Sequence, residues 1–349
     1  MQLKIQVVIT IEHGGSEMKN KIAGALFGMA LGDAMGMPAE LWGRQRARKF
    51  FGGKITDLMD GPAENDVAFN YKKGQFTDDT GQALVLLDSI ESTSFVPDAT
   101  DIAKRMLDWA EKENAFENNI LGPTSKVALA NFRDGIEDTT ITDKALSNGS
   151  AMRIAPIGCL FLPEEKEKIV DYVYGVSRAT HTSDVTIAGA AMIAAGVSSA
   201  IVNDDFEKVI EDILDIEEMG YQKGCETFSA RLGERTKIGL DLAKTYRDDE
   251  DEFLKKIYDV IGAGVGIIES VPAAISIAYY AQDPNRACLM CANLGGDTDT
   301  IGAMATAICG AFTGADHIKE SYIETLRKQN DADFDHYIEV LMKGREALR

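Results

Sequence analysis

Four glycines stand at positions 24, 28, 32 and 36 of the run Ile22-Ala23-Gly24-Ala25-Leu26-Phe27-Gly28-Met29-Ala30-Leu31-Gly32-Asp33-Ala34-Met35-Gly36. A spacing of four places all of them on one face of a helix. Each weakens that helix by about 1 kcal/mol relative to alanine, but a face without side chains lets a second backbone lie against it. Membrane helices use the same spacing. Here the uncharged stretch from Ile22 to Gly32 has 11 residues, short of the roughly 18 that a bilayer requires. The pattern therefore predicts a buried helix with another backbone packed on it, ending before Pro38.

Two acidic turns lie more than two hundred residues apart. They are Thr77-Asp78-Asp79-Thr80, after Gly74-Gln75-Phe76, and Asp297-Thr298-Asp299-Thr300, after Gly295-Gly296. Each combines two carboxylates with two hydroxyls and leads into a small-residue apolar run that reads as a helix. Taken singly, either is explained by capping, since Asp and Thr satisfy the free N–H groups of a first turn. Taken together they are not: four carboxylates brought face to face repel one another severely without cations. Carboxylate and hydroxyl oxygens are hard ligands suited to Mg²⁺, Mn²⁺ and Ca²⁺, so a two-metal site is the economical resolution. The pattern does not match the D-x-[DN]-x-[DN]-G calcium loop. Because neighbouring side chains diverge on a regular helix, both turns are expected to be non-helical at their ligands, with helices beginning at or just beyond them. Asp33 and Glu40, at the end of the glycine-faced helix, are solvated charges, or candidate bases if the turns come close.

The charge balance narrows the partners. With a formal net charge of −20 over 349 residues, a broad nucleic-acid or anionic-membrane surface is not expected. An anionic small substrate remains compatible where bound cations reverse the local field. The five cysteines, Cys159, Cys225, Cys288, Cys291 and Cys309, are odd in number and mostly set in apolar runs. They read as reduced, buried thiols of a cytoplasmic protein. Cys288 and Cys291 have the spacing of a metal or redox pair but lack a second pair, and are assigned to core packing. Residues 1–17 lack a signal-peptide cleavage pattern and are expected to form an extended or disordered extension, with residues 18–349 as the folded unit.

Along the rest of the chain helical spacing dominates. Residues 43–73 read as an irregular excursion. Helices are expected at 98–112, 126–132, 154–161, 185–202, 228–246, 252–265, 269–280, 284–294 and 301–312, with polar surface helices after 316. Asn118 to Ser125 and Ser147 to Arg153 are loops that open helices, where free N–H groups make ready anion sites. His181 sits in the turn before 185–202. Gly262-Ala263-Gly264 does not fit a dinucleotide fingerprint. The fold class is all-α, a single compact multi-helix domain.

As a set, these motifs resemble the ADP-ribosylglycohydrolase family, which includes the enzyme that removes ADP-ribose from dinitrogenase reductase. The matching pieces are Gly28…Gly32-Asp33-Ala34…Glu40, Phe76 to Thr80, Asn148-Gly149-Ser150-Ala151-Met152-Arg153, Thr180-His181 and Gly295 to Thr300. They span nearly the whole chain. The resemblance implies an all-α fold with two Mg²⁺ (or Mn²⁺) ions in a cleft. By motif, Thr77, Asp78, Asp79, Asp297, Asp299 and Thr300 become metal ligands. Glu40 becomes a mobile acidic residue and candidate general base, acting with Asp78 and Asp299. Gly122, Asn148, Gly149, Ser150, Met152 and His181 would line an ADP-ribose pocket.

The implied reaction is hydrolysis of the C1″ bond of an ADP-ribosylated protein or metabolite. One departure bears on the leaving group. Many family members carry D-x-G-x-T-T where this chain has Ile120-Leu121-Gly122-Pro123-Thr124-Ser125, with Ile in place of Asp. A small riboside or nucleoside substrate is the alternative it motivates. A catalytically inactive ADP-ribose-binding protein is the alternative of another class.

Overall fold

In the structure, a computed structural model describing residues 15–118 and 120–349, the helices around the site run in chain order as follows. They are α1 (Gln2–Gly36), α2 (Asp78–Ser92), α3 (Pro123–Arg133), α4 (Asp184–Val202), α5 (Ile267–Ala281), α6 (Pro284–Ala292), α7 (Thr298–Thr313) and α8 (Phe334–Ala347). The glycine face of α1 meets α7 backbone to backbone. A Cβ added at Gly24, Gly28, Gly32 or Gly36 would lie 2.1, 2.4, 1.9 or 2.2 Å from the carbonyl oxygen of Gly310, Thr306, Gly302 or Thr298. The descending partner numbers show that the helices are antiparallel. The end of α1 therefore lies at the start of α7, and Asp33 and Glu40 arrive beside Asp297 and Asp299.

Around this pair the chain is all-α, as the spacing predicts, in one compact body. Among the described residues there are only isolated bridges in place of a sheet. α4 is long and apolar enough to cross a membrane by composition, yet every residue from Asp184 to Ile201 is buried, so it is a core helix. α5, α6 and α7 pack with it and with α1 into one hydrophobic core. Cys159, Cys288, Cys291 and Cys309 are buried free thiols in that core, and Cys225 is exposed. The expected extension at residues 1–17 falls mostly outside the described residues; within it Gly15, Ser16 and Glu17 are helical and exposed.

Four loops knit the site end together through main-chain hydrogen bonds. Leu41 N donates to Gly296 O at 2.7 Å and Gly296 N to Trp42 O at 2.8 Å. Asp297 N donates to Ala263 O at 2.7 Å, Asn148 N to Val265 O at 3.0 Å and Ile267 N to Leu146 O at 2.9 Å. Gly295 and Gly296 make this possible with φ of +88° and +82°, and a Cβ on Gly296 would strike Ala263 O at 2.1 Å.

Some boundaries differ from expectation. The excursion at 43–73 contains a short helix, Arg44–Phe50, held where Arg44 Nη1 donates to Asn293 O at 2.7 Å. The helix expected at 154–161 is only the turn Ala155–Gly158, with Gly158 pressed on the carbonyl of Ala194. The helices begin at the acidic turns as expected, and Thr77 and Asp297 are non-helical; the expectation is corrected for Asp78, Asp79, Asp299 and Thr300, which lie in the first helical turns. α2 begins at Asp78 with Thr77 as its N-cap, and α7 begins at Thr298 with Asp297 as its N-cap. In a first turn, side chains overhang the end of the helix, so neighbours that diverge mid-helix can serve one site.

Candidate metal centre

α2 is capped from a distance. Thr77, its N-cap, makes no capping bond of its own. Instead Asp33 at the end of α1 accepts from Thr77 N and Thr77 Oγ1, both at 2.8 Å, with one carboxylate oxygen. With the other it accepts from Thr80 N at 3.0 Å and Thr80 Oγ1 at 2.6 Å. A carboxylate has about four lone-pair sites, and Asp33 uses all of them on α2. Burial pushes its pKa up to about 6 against these four favourable bonds.

The single hydroxyl proton of Thr77 is thereby committed to Asp33. Yet Thr77 Oγ1 also lies 3.1 Å from Asp79 Oδ2 and 3.2 Å from Asp299 Oδ2, contacts that then lack a proton. Asp79 Oδ1 and Asp299 Oδ1 are buried without any hydrogen-bond partner. Buried, unpaired carboxylate oxygens are costly. The spacing of Thr77 Oγ1 from the two Oδ2 atoms is that of neighbouring metal ligands, since octahedral ligands at about 2.1 Å sit about 3.0 Å from one another. The donor set therefore fits a hard divalent cation.

A second group overlaps the first. Ligand oxygens of Asp33, Asp79 and Asp299 lie within 4.8 Å of one another, and so do those of Glu40, Asp297 and Asp299. Asp299 belongs to both. Asp297 is steadied by Asn148 Nδ2, which donates to its Oδ2 at 2.6 Å. Glu40 is held through its backbone, where Asn65 Nδ2 donates to Glu40 O at 3.0 Å and to Pro38 O at 3.3 Å. Asp78 accepts from Gln82 Nε2 at 3.1 Å.

Without cations these acids suppress one another's ionisation. Burial first, then Asp299, Asp297 and Asp78, drives the Glu40 carboxyl well above the usual range. Burial and the Asp33 and Asp297 charges push Asp78 up to about 8. Asp79 and Asp299 are driven well up by burial and by neighbouring Asp residues. Asp297 is raised by burial and relieved in part by Asn148.

A cavity of about 180 Å³ opens over the cluster. Its floor includes Glu40, Asp78, Asp79, Asp297, Asp299 and Thr300, and Gly122, Asn148, Gly149 and Met152 line its wall. Thr77 lies beneath. Ser150 and His181 sit behind the lining: Ser150 Oγ donates to Thr186 O at 3.0 Å, and His181 is fully buried against Gly149. Leu121, Ser125 and Ser147 of the two anion-site loops also line the wall, whereas sequence reasoning missed Leu41, Val67 and Val265. It also missed Tyr71, whose phenol is raised well above its ordinary pKa by burial and by the Asp78 and Glu40 charges. Tyr71 and Val67 come from the excursion at 43–73, whose irregular sequence gives no periodic signal.

Residues 15–348 match the ADP-ribosylglycohydrolase family. The uncharacterized protein YegU of Escherichia coli (strain K12) is 43% identical over 327 residues, covering 93% of this chain and 97% of that protein. The human ADP-ribosylhydrolase ARH3 is 32% identical over 136 residues, 35% of this chain and 34% of that protein. Among solved structures, an ADP-ribosylglycohydrolase-related protein complex superposes with a TM-score of 0.66 at 20% identity, covering 96% of this chain and 100% of that one, a likeness of fold.

Proposed function

The chain belongs to the ADP-ribosylglycohydrolase family, and from that premise we propose that it is a metal-dependent hydrolase of the C1″ N- or O-glycosidic bond in an ADP-ribosylated protein or metabolite, releasing ADP-ribose. The observation that carries this reading is the meeting of both acidic turns at one pocket floor, with Asp79 Oδ1 and Asp299 Oδ1 left unpaired. Thr77, Asp78, Asp79, Asp297, Asp299 and Thr300 would hold two Mg²⁺ or Mn²⁺ ions, with the Glu40 carboxylate beside them. Bound there, such cations supply Lewis acidity that orients ribose hydroxyls and a water and lowers the water's pKa.

The side chains do the remaining work. Glu40, half-buried at the edge of the floor, takes the proton of the attacking water. Asp78 and Asp299 face the positive charge that grows on the ribose ring as the bond breaks. Asn148 keeps Asp297 oriented, and the Gly149 N–H of the Asn148–Ser150 turn is the donor assigned to the diphosphate. Ser150 and His181 act on the substrate through that turn rather than at its surface. Its free, mostly buried thiols support the cytoplasm, and its net charge of −20 supports an ADP-ribosylated protein or small molecule as partner, with neither nucleic acid nor membrane.

A second reading has its own support. No lysine, arginine or aromatic side chain lines the pocket among the described residues, and Ile120 stands at its mouth with Leu41, Val67 and Val265. A small riboside or nucleoside without a diphosphate suits that lining. Calorimetric titration of ADP-ribose in Mg²⁺ and then in EDTA separates the two. Metal-dependent binding supports the ADP-ribosyl reading; no binding in either Mg²⁺ or Mn²⁺ sinks it and moves the test to a nucleoside panel.

A further inference from the structure

Arg153 is 1% exposed and forms no ion pair among the described residues. A buried cation without a carboxylate beside it is expensive, and nothing in the proposed reaction uses it directly. Its two terminal nitrogens head two chains of hydrogen bonds. Nη1 donates to Gln82 Oε1 at 2.7 Å, and Gln82 Nε2 donates to Asp78 Oδ2 at 3.1 Å. Nη2 donates to Thr180 Oγ1 at 2.6 Å, Thr180 Oγ1 lies 2.8 Å from His181 Nδ1, His181 Nε2 lies 3.2 Å from Ser147 Oγ, and Ser147 Oγ lies 2.9 Å from Thr124 Oγ1.

A guanidinium has donors and no acceptor, so it fixes the direction of the first bond in each chain. Gln82 must accept with its oxygen and turn its NH₂ to Asp78. Thr180 is fully buried, and with Arg153 donating to its oxygen, His181 Nδ1 is the one acceptor within reach of its own proton among the described residues. His181 then carries its proton on Nε2 and donates to Ser147. Ser147 Oγ has two lone pairs; with His181 Nε2–H on one and the Thr124 hydroxyl on the other, its own O–H is left to offer at the pocket wall. His181 is fully buried, and burial together with the Arg153 charge holds its pKa well below the ordinary value, so the ring is neutral and one tautomer is selected.

We propose that Arg153 is a positioning residue that polarises both chains, fixing His181 as the Nε2–H tautomer so that Ser147 meets the bound molecule as a hydrogen-bond donor, while Gln82 steadies Asp78. The group that Ser147 meets is an oxygen acceptor, a hydroxyl or a phosphate oxygen. Only that last point rests on the ribosyl-hydrolase reading; the tautomer is a property of the protein alone.

The test is a long-range ¹H–¹⁵N spectrum of the full-length protein carrying ¹⁵N-labelled histidine, in EDTA near neutral pH, with His181 assigned from His181→Asn. The wild type is expected to show an unprotonated, downfield Nδ1 and a protonated, upfield Nε2. Arg153→Met frees the Thr180 hydroxyl to accept, so the two resonances should move toward each other as both tautomers populate. Thr180→Val reads the same step should the first variant fail to fold. A wild-type ring protonated on Nδ1, or a variant ring locked in the wild-type form, overturns the assignment. Failure of riboside hydrolysis would leave this result untouched.

Discussion

Asp299 lies between two groups of carboxylates, beside Asp33 and Asp79 on one side and Glu40 and Asp297 on the other. Asp299→Asn keeps its shape and removes the shared charge. It is expected to weaken Mn²⁺ binding by more than about 100-fold, beyond the 10–100-fold typical of outer-shell partners, and to abolish turnover. In EDTA the same variant should melt at a higher temperature than the wild type near neutral pH, because folding no longer has to take up a proton on that carboxylate. Asp78→Ala should also lose activity; full activity in either variant would sink the two-metal reading. Ile120 tests recognition instead. Ile120→Asp places a carboxylate at the mouth and is expected to favour a guanidinium-linked substrate over a neutral one by up to about fivefold. That is the ratio given by an exposed ion pair of about 1 kcal/mol, read from kcat/KM on the two substrates.

The pairing of α1 with α7 sets the next scale. At Gly32 a Cβ would lie 1.9 Å from Gly302 O, so Gly32→Ala must push the helices apart. A loss on the order of 1–3 kcal/mol is expected in chemical denaturation, accompanied by weaker Mn²⁺ binding because Asp33 and Asp299 ride on the two helices. Gly15→Ala, with nothing within 4 Å, should leave stability unchanged or slightly raised. This pairing was legible because a period of four is a local pattern, and the two acidic turns were legible because their residue types are unusual together. That Asp78, Asp79, Asp299 and Thr300 lie inside the first helical turn was not legible, since side-chain divergence holds mid-helix and relaxes at a first turn. Nor was the capping of α2 by Asp33, 44 residues before Thr77 in the chain, or the partners of Arg153. Contacts of that range leave no local trace. His181 and Ser150 were read as pocket residues from the motifs they sit in, and motifs do not say which side of a wall a side chain takes.

Across the whole molecule the buried acids make stability depend on pH. In EDTA the folded chain holds protons that the unfolded chain releases near pH 4, with Asp33 titrating at about 6 and Asp78 at about 8. The folded state then binds more protons than the unfolded state across that window, so stability falls as pH rises through it. The melting temperature in EDTA is expected to be lower at pH 8 than at pH 6, and Mg²⁺ should restore it more at pH 8. A Tm that does not change with pH, or a Mg²⁺ effect that shrinks as pH rises, would contradict this account. The main-chain contact between α1 and α7 also bears on how such a protein can change over generations. Leu41, Val67, Ile120 and Val265 at the pocket mouth all lie outside those two helices. Descendants of one ancestor can therefore exchange these residues and take up new leaving groups while the acidic floor is inherited intact.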